Sequence, residues 1–108
     1  MTGGIPPDGP HHPDANEEQR QELELIEAVY AFPGDFSLSV IARNDDEVVA
    51  AILAAAITEA GAPLAHERQA SSGGNYVSHR LRVRVGSAHE AYAVRTRLRG
   101  VPGVKTVL

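Results

Sequence analysis

The sequence predicts one small α/β domain in the order β-α-β-β-α-β, and three observations carry that expectation. A first strand, Phe36-Ser37-Leu38-Ser39-Val40-Ile41-Ala42, runs straight into a helix-capping box, Asn44-Asp45-Asp46-Glu47. A stronger strand, Leu81-Arg82-Val83-Arg84-Val85, runs into a second box, Ser87-Ala88-His89-Glu90. In each box the first side chain can accept the N–H three residues on, and the Glu can reach back to the cap's own N–H. Val104 to Leu108 then reads as a last strand closing the chain. With 108 residues there is room for one domain and a tail. A core of that size is modest, so a homodimer is allowed but not required.

Residues 1–15 hold four Pro, three Gly and the pair His11-His12, a composition that cannot build a core and reads as a disordered tail. Residues 16–30 read as a short amphipathic helix. Asn16 opens an Asn-x-x-Gln cap, Leu23, Ile26 and Tyr30 follow at helical spacing, and Glu17, Glu18, Glu22, Glu24 and Glu27 form an acidic outer face. Phe32-Pro33-Gly34-Asp35 turns into the first strand, so residues 31–108 make the main domain. Phe36, Leu38 and Val40 alternate with Ser37, Ser39 and Ile41, the period of a half-buried strand. The next helix spans about Asp45 to Ala60 and stops at Gly61. Its expected core stripe is Val49, Ile52, Leu53, Ala56, Ile57 and Ala60. Ala50, Ala51, Ala54 and Ala55 lie opposite, either as plain helix formers or as a partner surface.

Leu64 to Ala70 is short of β-branched residues and rich in charge, which suits an edge strand. Ser71-Ser72-Gly73-Gly74-Asn75 reads as a flexible hairpin loop leading into Tyr76. From Tyr76 to Val85, Leu81, Val83 and Val85 point one way and Arg80, Arg82 and Arg84 the other. Ala91, Val94 and Leu98 form the apolar line of the last helix, which ends at Gly100 before the turn Val101-Pro102-Gly103. The order is that of a ferredoxin-like plait, a four-stranded antiparallel sheet with two helices on one face. The other face is left open, or covered by the N-terminal helix or a second subunit.

Three segments resemble a known family. Phe32-Pro33-Gly34-Asp35-Phe36 leading to Val40-Ile41, then Ser71-Ser72-Gly73-Gly74-Asn75-Tyr76-Val77-Ser78, then Val104-Lys105-Thr106-Val107-Leu108 are similar to the bacterial YbeD-like family, a domain of unknown function. The resemblance covers residues 29–108, and the hairpin is its most specific part. It implies a plait similar to ACT domains, small regulatory modules that often bind amino acids between subunits, and it brings with it no established enzyme activity. The chain departs from the family pattern at Ser39, where a lysine is expected, at Ala42, where a glycine is expected, and at Gly34, where cysteine is frequent.

The net charge of −4 is split unevenly along the chain. Residues 1–62 carry two basic side chains against twelve acidic, a balance of −10; residues 63–108 carry eight against two, a balance of +6. Such a split sets up a field that orients partners. Spacing of two puts Arg80, Arg82 and Arg84 on one sheet face, with Arg68 and Lys105 as further members of the group. Like charges side by side repel unless an anion is near. The expected occupant is a protein partner or a small-molecule effector, a second subunit, or the acidic helix with Glu22, Glu24 and Glu27 lying across the open face. RNA is the alternative, although Ser37, Ser39 and Ser78 take the places where RNA-binding plaits carry aromatic platforms.

No catalytic constellation emerges. Ser71 and Ser72 have no Asp–His partner in sequence, His66 and His79 can lie near each other across the hairpin but lack a third metal ligand, and Asp45 and Asp46 would repel a phosphate from the loop after the first strand. The absence of cysteine removes disulfides and thiolate metal sites. No charged segment with an apolar run opens the chain, and no run approaches 18 apolar residues. The expectation is a non-enzymatic, cytoplasmic binding or regulatory domain with no cofactor, no metal and no membrane contact.

Overall fold

The structure is a computed structural model and describes residues 15–108. The elements are α1 (Ala15–Val29), β1 (Gly34–Arg43), α2 (Asp46–Ala60), β2 (Ala65–Ala70), β3 (Tyr76–Val85), α3 (Ala88–Arg99) and β4 (Val104–Val107). The expectation for the tail, with His11-His12, lies outside the described residues apart from Ala15, which begins α1. The four strands form one antiparallel sheet in the order β2-β3-β1-β4. Helices α2 and α3 pack on one face, so the fold is the ferredoxin-like plait that the order of elements predicts.

Alternation along β1 and β3 builds the core. Phe36, Leu38, Val40 and Ala42 of β1 and Val77, His79, Leu81, Val83 and Val85 of β3 are all buried beneath the helices. The register pairs Val83 with Phe36, Leu81 with Leu38 and His79 with Val40. From α3 come Ala91, Val94 and Leu98, the apolar line that its spacing predicts.

Helix α2 is turned relative to expectation. Its buried residues are Val48, Ile52, Ala55 and Ala56, while Ile57 is exposed. A helix that is apolar on nearly every side has no polar face to set its rotation, so the strand that feeds it decides. The caps also differ in detail. Asp45, not Asn44, is the N-cap of α2, its Oδ1 accepting from the Glu47 N–H at 2.8 Å. At α3, Ser87 accepts from the Glu90 N–H at 3.2 Å, but the Glu90 carboxylate takes the Gly86 N–H instead of that of Ser87. The acidic helix α1 does not cross the open face. It packs against α3, burying Ile26 and half-burying Leu23 and Tyr30.

The turn into β4 depends on Gly103. Its φ of +96° is open to glycine and rarely to other residues, and a Cβ there would stand 2.6 Å from Val48 Cγ2. The Gly103 carbonyl also accepts the Arg43 N–H at 2.8 Å, tying the turn to β1. Gly103→Ala is expected to cost about 2 kcal/mol, read as a lower denaturant midpoint; an unchanged midpoint would contradict this account of the turn.

Candidate functional site

The uncovered face of the sheet carries the arginine stripe. Residues opposite one another in an antiparallel pair share a face, so the register assigns each side chain. Arg84 lies across from Asp35, Arg82 from Ser37 on one side and Ala65 on the other, and Arg80 from Ser39 and Glu67. Ser37, Ser39 and Ala65 are too short to fill the space beside the long arginines. They leave a shallow depression of about 350 Å³, rimmed by Arg80, Arg82, Glu67 and Leu108. Leu108 is placed there by a reciprocal pair of backbone hydrogen bonds with Ser39, at 2.7 and 3.1 Å.

Asp35 is the counter-ion of the stripe. Its carboxylate lies 3.6 Å from Arg82 Nε and 3.8 Å from Arg84 Nη1. Sequence reasoning passed over Asp35, although its period-two spacing from Ser37 and Ser39 puts it on this face. Arg80 makes no hydrogen bond or ion pair among the described residues, and Glu67 opposite it in the register forms none with it. One guanidinium therefore remains uncompensated, at the edge of the depression.

Of the other two cations expected in the group, Arg68 lies on the opposite face and Lys105 at the far end of this one. Arg68 is paired with His79, whose side chain points under the helices, so Arg68 belongs to the opposite face of β2. Period two separates it from Glu67, which shares the stripe's face. Lys105 sits by the irregularity where the β1–β4 register shifts, and its Nζ lies 5.5 Å from the Tyr76 ring centroid. Four residues of strand, roughly 13 Å, separate Tyr76 from Arg80.

The hairpin loop is tied down where a mobile edge was expected. Ser71 Oγ accepts the Tyr76 N–H at 3.2 Å, and the Ser71 carbonyl accepts the Gly74 N–H at 2.9 Å. Asn44, freed from capping, donates from Nδ2 to the Gly74 carbonyl at 2.8 Å and from its backbone to Asn75 at 2.9 Å. Ser72 and Gly73 form the exposed tip.

On the helical side the acidic and basic halves of the chain meet. Glu22 of α1 binds Arg95 at 3.2 Å and Arg99 at 3.1 Å, and Glu59 of α2 pairs with Arg97. The charge asymmetry is thus partly consumed inside the fold. A wider groove of about 840 Å³ runs between α2 and α3, lined by Ala51, Ala54, Ala55, Tyr92 and Ala93 among others.

His66 and His79 do meet across the hairpin, with Nε2 of the first 2.9 Å from Nδ1 of the second. Among the described residues no group of three or more His, Cys, Asp or Glu side chains converges as a metal site. Nor is any described helix long and apolar enough to cross a membrane.

A family model described as a protein of unknown function (DUF493) matches residues 27–108. No curated protein and no solved structure matches the chain.

Proposed function

The chain belongs to the DUF493 family, the YbeD family of the resemblance, and from that premise we propose that it is a non-enzymatic, cytoplasmic binding module of ACT-like type that senses a small anionic effector on its open sheet face. The observation that carries this reading is Arg80: an unpaired guanidinium beside a depression floored by Ser37, Ser39 and Ala65. A depression of about 350 Å³ is at the small end of metabolite sites. Arg82 and Arg84 share the single carboxylate of Asp35, so the pair keeps one net positive charge beside Arg80. A planar guanidinium favours carboxylate or phosphate oxygens, which it can hold through two parallel N–H donors. RNA is less well served, because Tyr76 at the far end is the sole aromatic ring on this face among the described residues.

The test is a thermal-shift screen with small carboxylates and phosphates, since a ligand that binds only the native state raises the melting temperature. Arg80→Ala, an exposed substitution, is expected to weaken any hit about tenfold, while Arg43→Ala at the other end of the face leaves it unchanged. If no anion shifts the wild type, or if the two variants behave alike, the reading fails. Titration with single-stranded RNA at two salt concentrations separates the alternative, which requires salt-sensitive binding that weakens on Arg82→Ala.

A further inference from the structure

We propose that the His66–His79 pair is an acid-sensitive latch that holds the edge strand β2 on the sheet. The argument starts from how little else anchors β2. None of its six side chains is buried; Ala65 and His66 are half-buried, and residues 67–70 are exposed. Leu64, just before it, is also exposed. Beyond the backbone ladder to β3, the contact that ties a β2 side chain to the interior is His66 Nε2 to His79 Nδ1 at 2.9 Å, with the two rings stacked at 5.2 Å.

His79 is the buried polar residue of the core, with no exposed surface, and its Nε2 has no hydrogen-bond partner. Val40, directly opposite it in the register, is apolar, and so is every side chain of β1, α2 and α3 that is buried in the layer beneath the helices, so that layer holds no carboxylate for an imidazolium to pair with among the described residues. The charged side chain facing the pair is Arg68, directly across from His79 and of the wrong sign. Glu67 and Arg80 point to the other face of the sheet. Glu59 of α2 is engaged by Arg97 of α3.

In the neutral pair one nitrogen donates and the other accepts. A first added proton places a cation beside Arg68 in an apolar layer. A second leaves N–H facing N–H, and the hydrogen bond is lost. Burial, reinforced by Arg68, pushes both imidazoles below the ordinary value of 6.5, and His79 is pushed down further by His66. For a histidine depressed by folding, the open state binds more protons. The closed state is therefore fully favoured above about pH 6.5 and loses ground as pH falls through the lowered values. Opening relieves the pair because His66 leaves with β2, which gives His79 access to water. Since Ala65 and Glu67 of β2 line the open-face depression, the latch also decides whether that wall exists.

Amide hydrogen exchange of the full chain between pH 7.5 and 5, corrected for intrinsic rates, tests this. The open fraction of β2 is expected to be flat down to about pH 6.5 and to rise below it by up to about tenfold per pH unit for each proton taken up, while the opposite edge, β4, does not follow. His79→Leu fills the site with an apolar side chain and is expected to flatten the β2 response. If that variant does not fold, His66→Gln serves: it keeps an amide donor for His79 Nδ1, removes one titrating group and is expected to halve the logarithmic slope. Parallel behaviour of β2 and β4 in the wild type, or an unaltered β2 slope in the folded variant, overturns the latch.

Discussion

Phe36→Ala is expected to remove about 3–5 kcal/mol of stability, much of the total of about 5–15 kcal/mol typical of small domains. Phe36 has no exposed surface and lies on the central strand, opposite Val83. Its ring also supports two neighbours. Tyr30 meets it edge-on with centroids 4.8 Å apart, and the Arg95 guanidinium carbon stands 5.3 Å from its centroid. Truncation therefore leaves a cavity and also removes the surface on which the end of α1 and the middle of α3 rest. Phe36→Leu keeps most of the volume and is expected to cost about 1–1.5 kcal/mol. Urea unfolding of the two variants measures the difference; a loss below 1 kcal/mol for Phe36→Ala would mean that the ring does not organise this end of the core.

Glu22→Ala is expected to cost about 2 kcal/mol and to free α1 before the sheet melts. Removing one partner of a fully buried pair costs about 3–5 kcal/mol; here Arg99 is half-exposed, and the screening that comes with exposure lowers the figure. What remains is Arg95, whose side chain is 18% exposed and whose Nε already lacks a partner. The pH dependence has a definite sign. Partial burial raises the Glu22 pKa, but hydrogen bonds from Arg99 and Arg95, and their charge, outweigh it and leave the carboxyl below 4.5. The folded state thus holds this proton less tightly than the unfolded state, and the clasp contributes fully above about pH 4.5 and is lost in stronger acid. Glu22→Gln keeps the shape, and its stability is expected to fall less below pH 4.5 than that of the wild type. Exchange confined to α1 amides in Glu22→Ala supports the clasp; uniform loss of protection across the sheet argues against it.

The two acid responses are separable because they act at different places and over different ranges. The histidine latch loosens β2 below about pH 6.5, whereas the glutamate clasp loosens α1 below about pH 4.5. A single pH titration followed by site-resolved exchange resolves both.

Much of the candidate site was legible in the chain. Period two in Arg80-Leu81-Arg82-Val83-Arg84-Val85 placed three guanidiniums on one face and three apolar side chains on the other, and the structure has them so. The antiparallel register beside that strand was less legible. Arg68 differs from Glu67 by one position, and one position is the difference between the two faces of a sheet. Asn44 carries the ordinary signature of an N-cap, yet its amide spans the loop to Gly74, 30 residues later. A local motif cannot announce a partner so far along the chain.

Element order, the alternation of β1 and β3, the apolar line of α3 and the glycine stop at Gly61 were determined by the sequence alone, because each follows from periodicity or backbone freedom within a few residues. The rotation of α2, the docking of acidic α1 on α3 instead of on the open-face arginines, and the meeting of His66 with His79 were decided by the tertiary structure. Each of these depends on the phase of one element relative to another, and that phase is set by packing and register between residues distant in the chain.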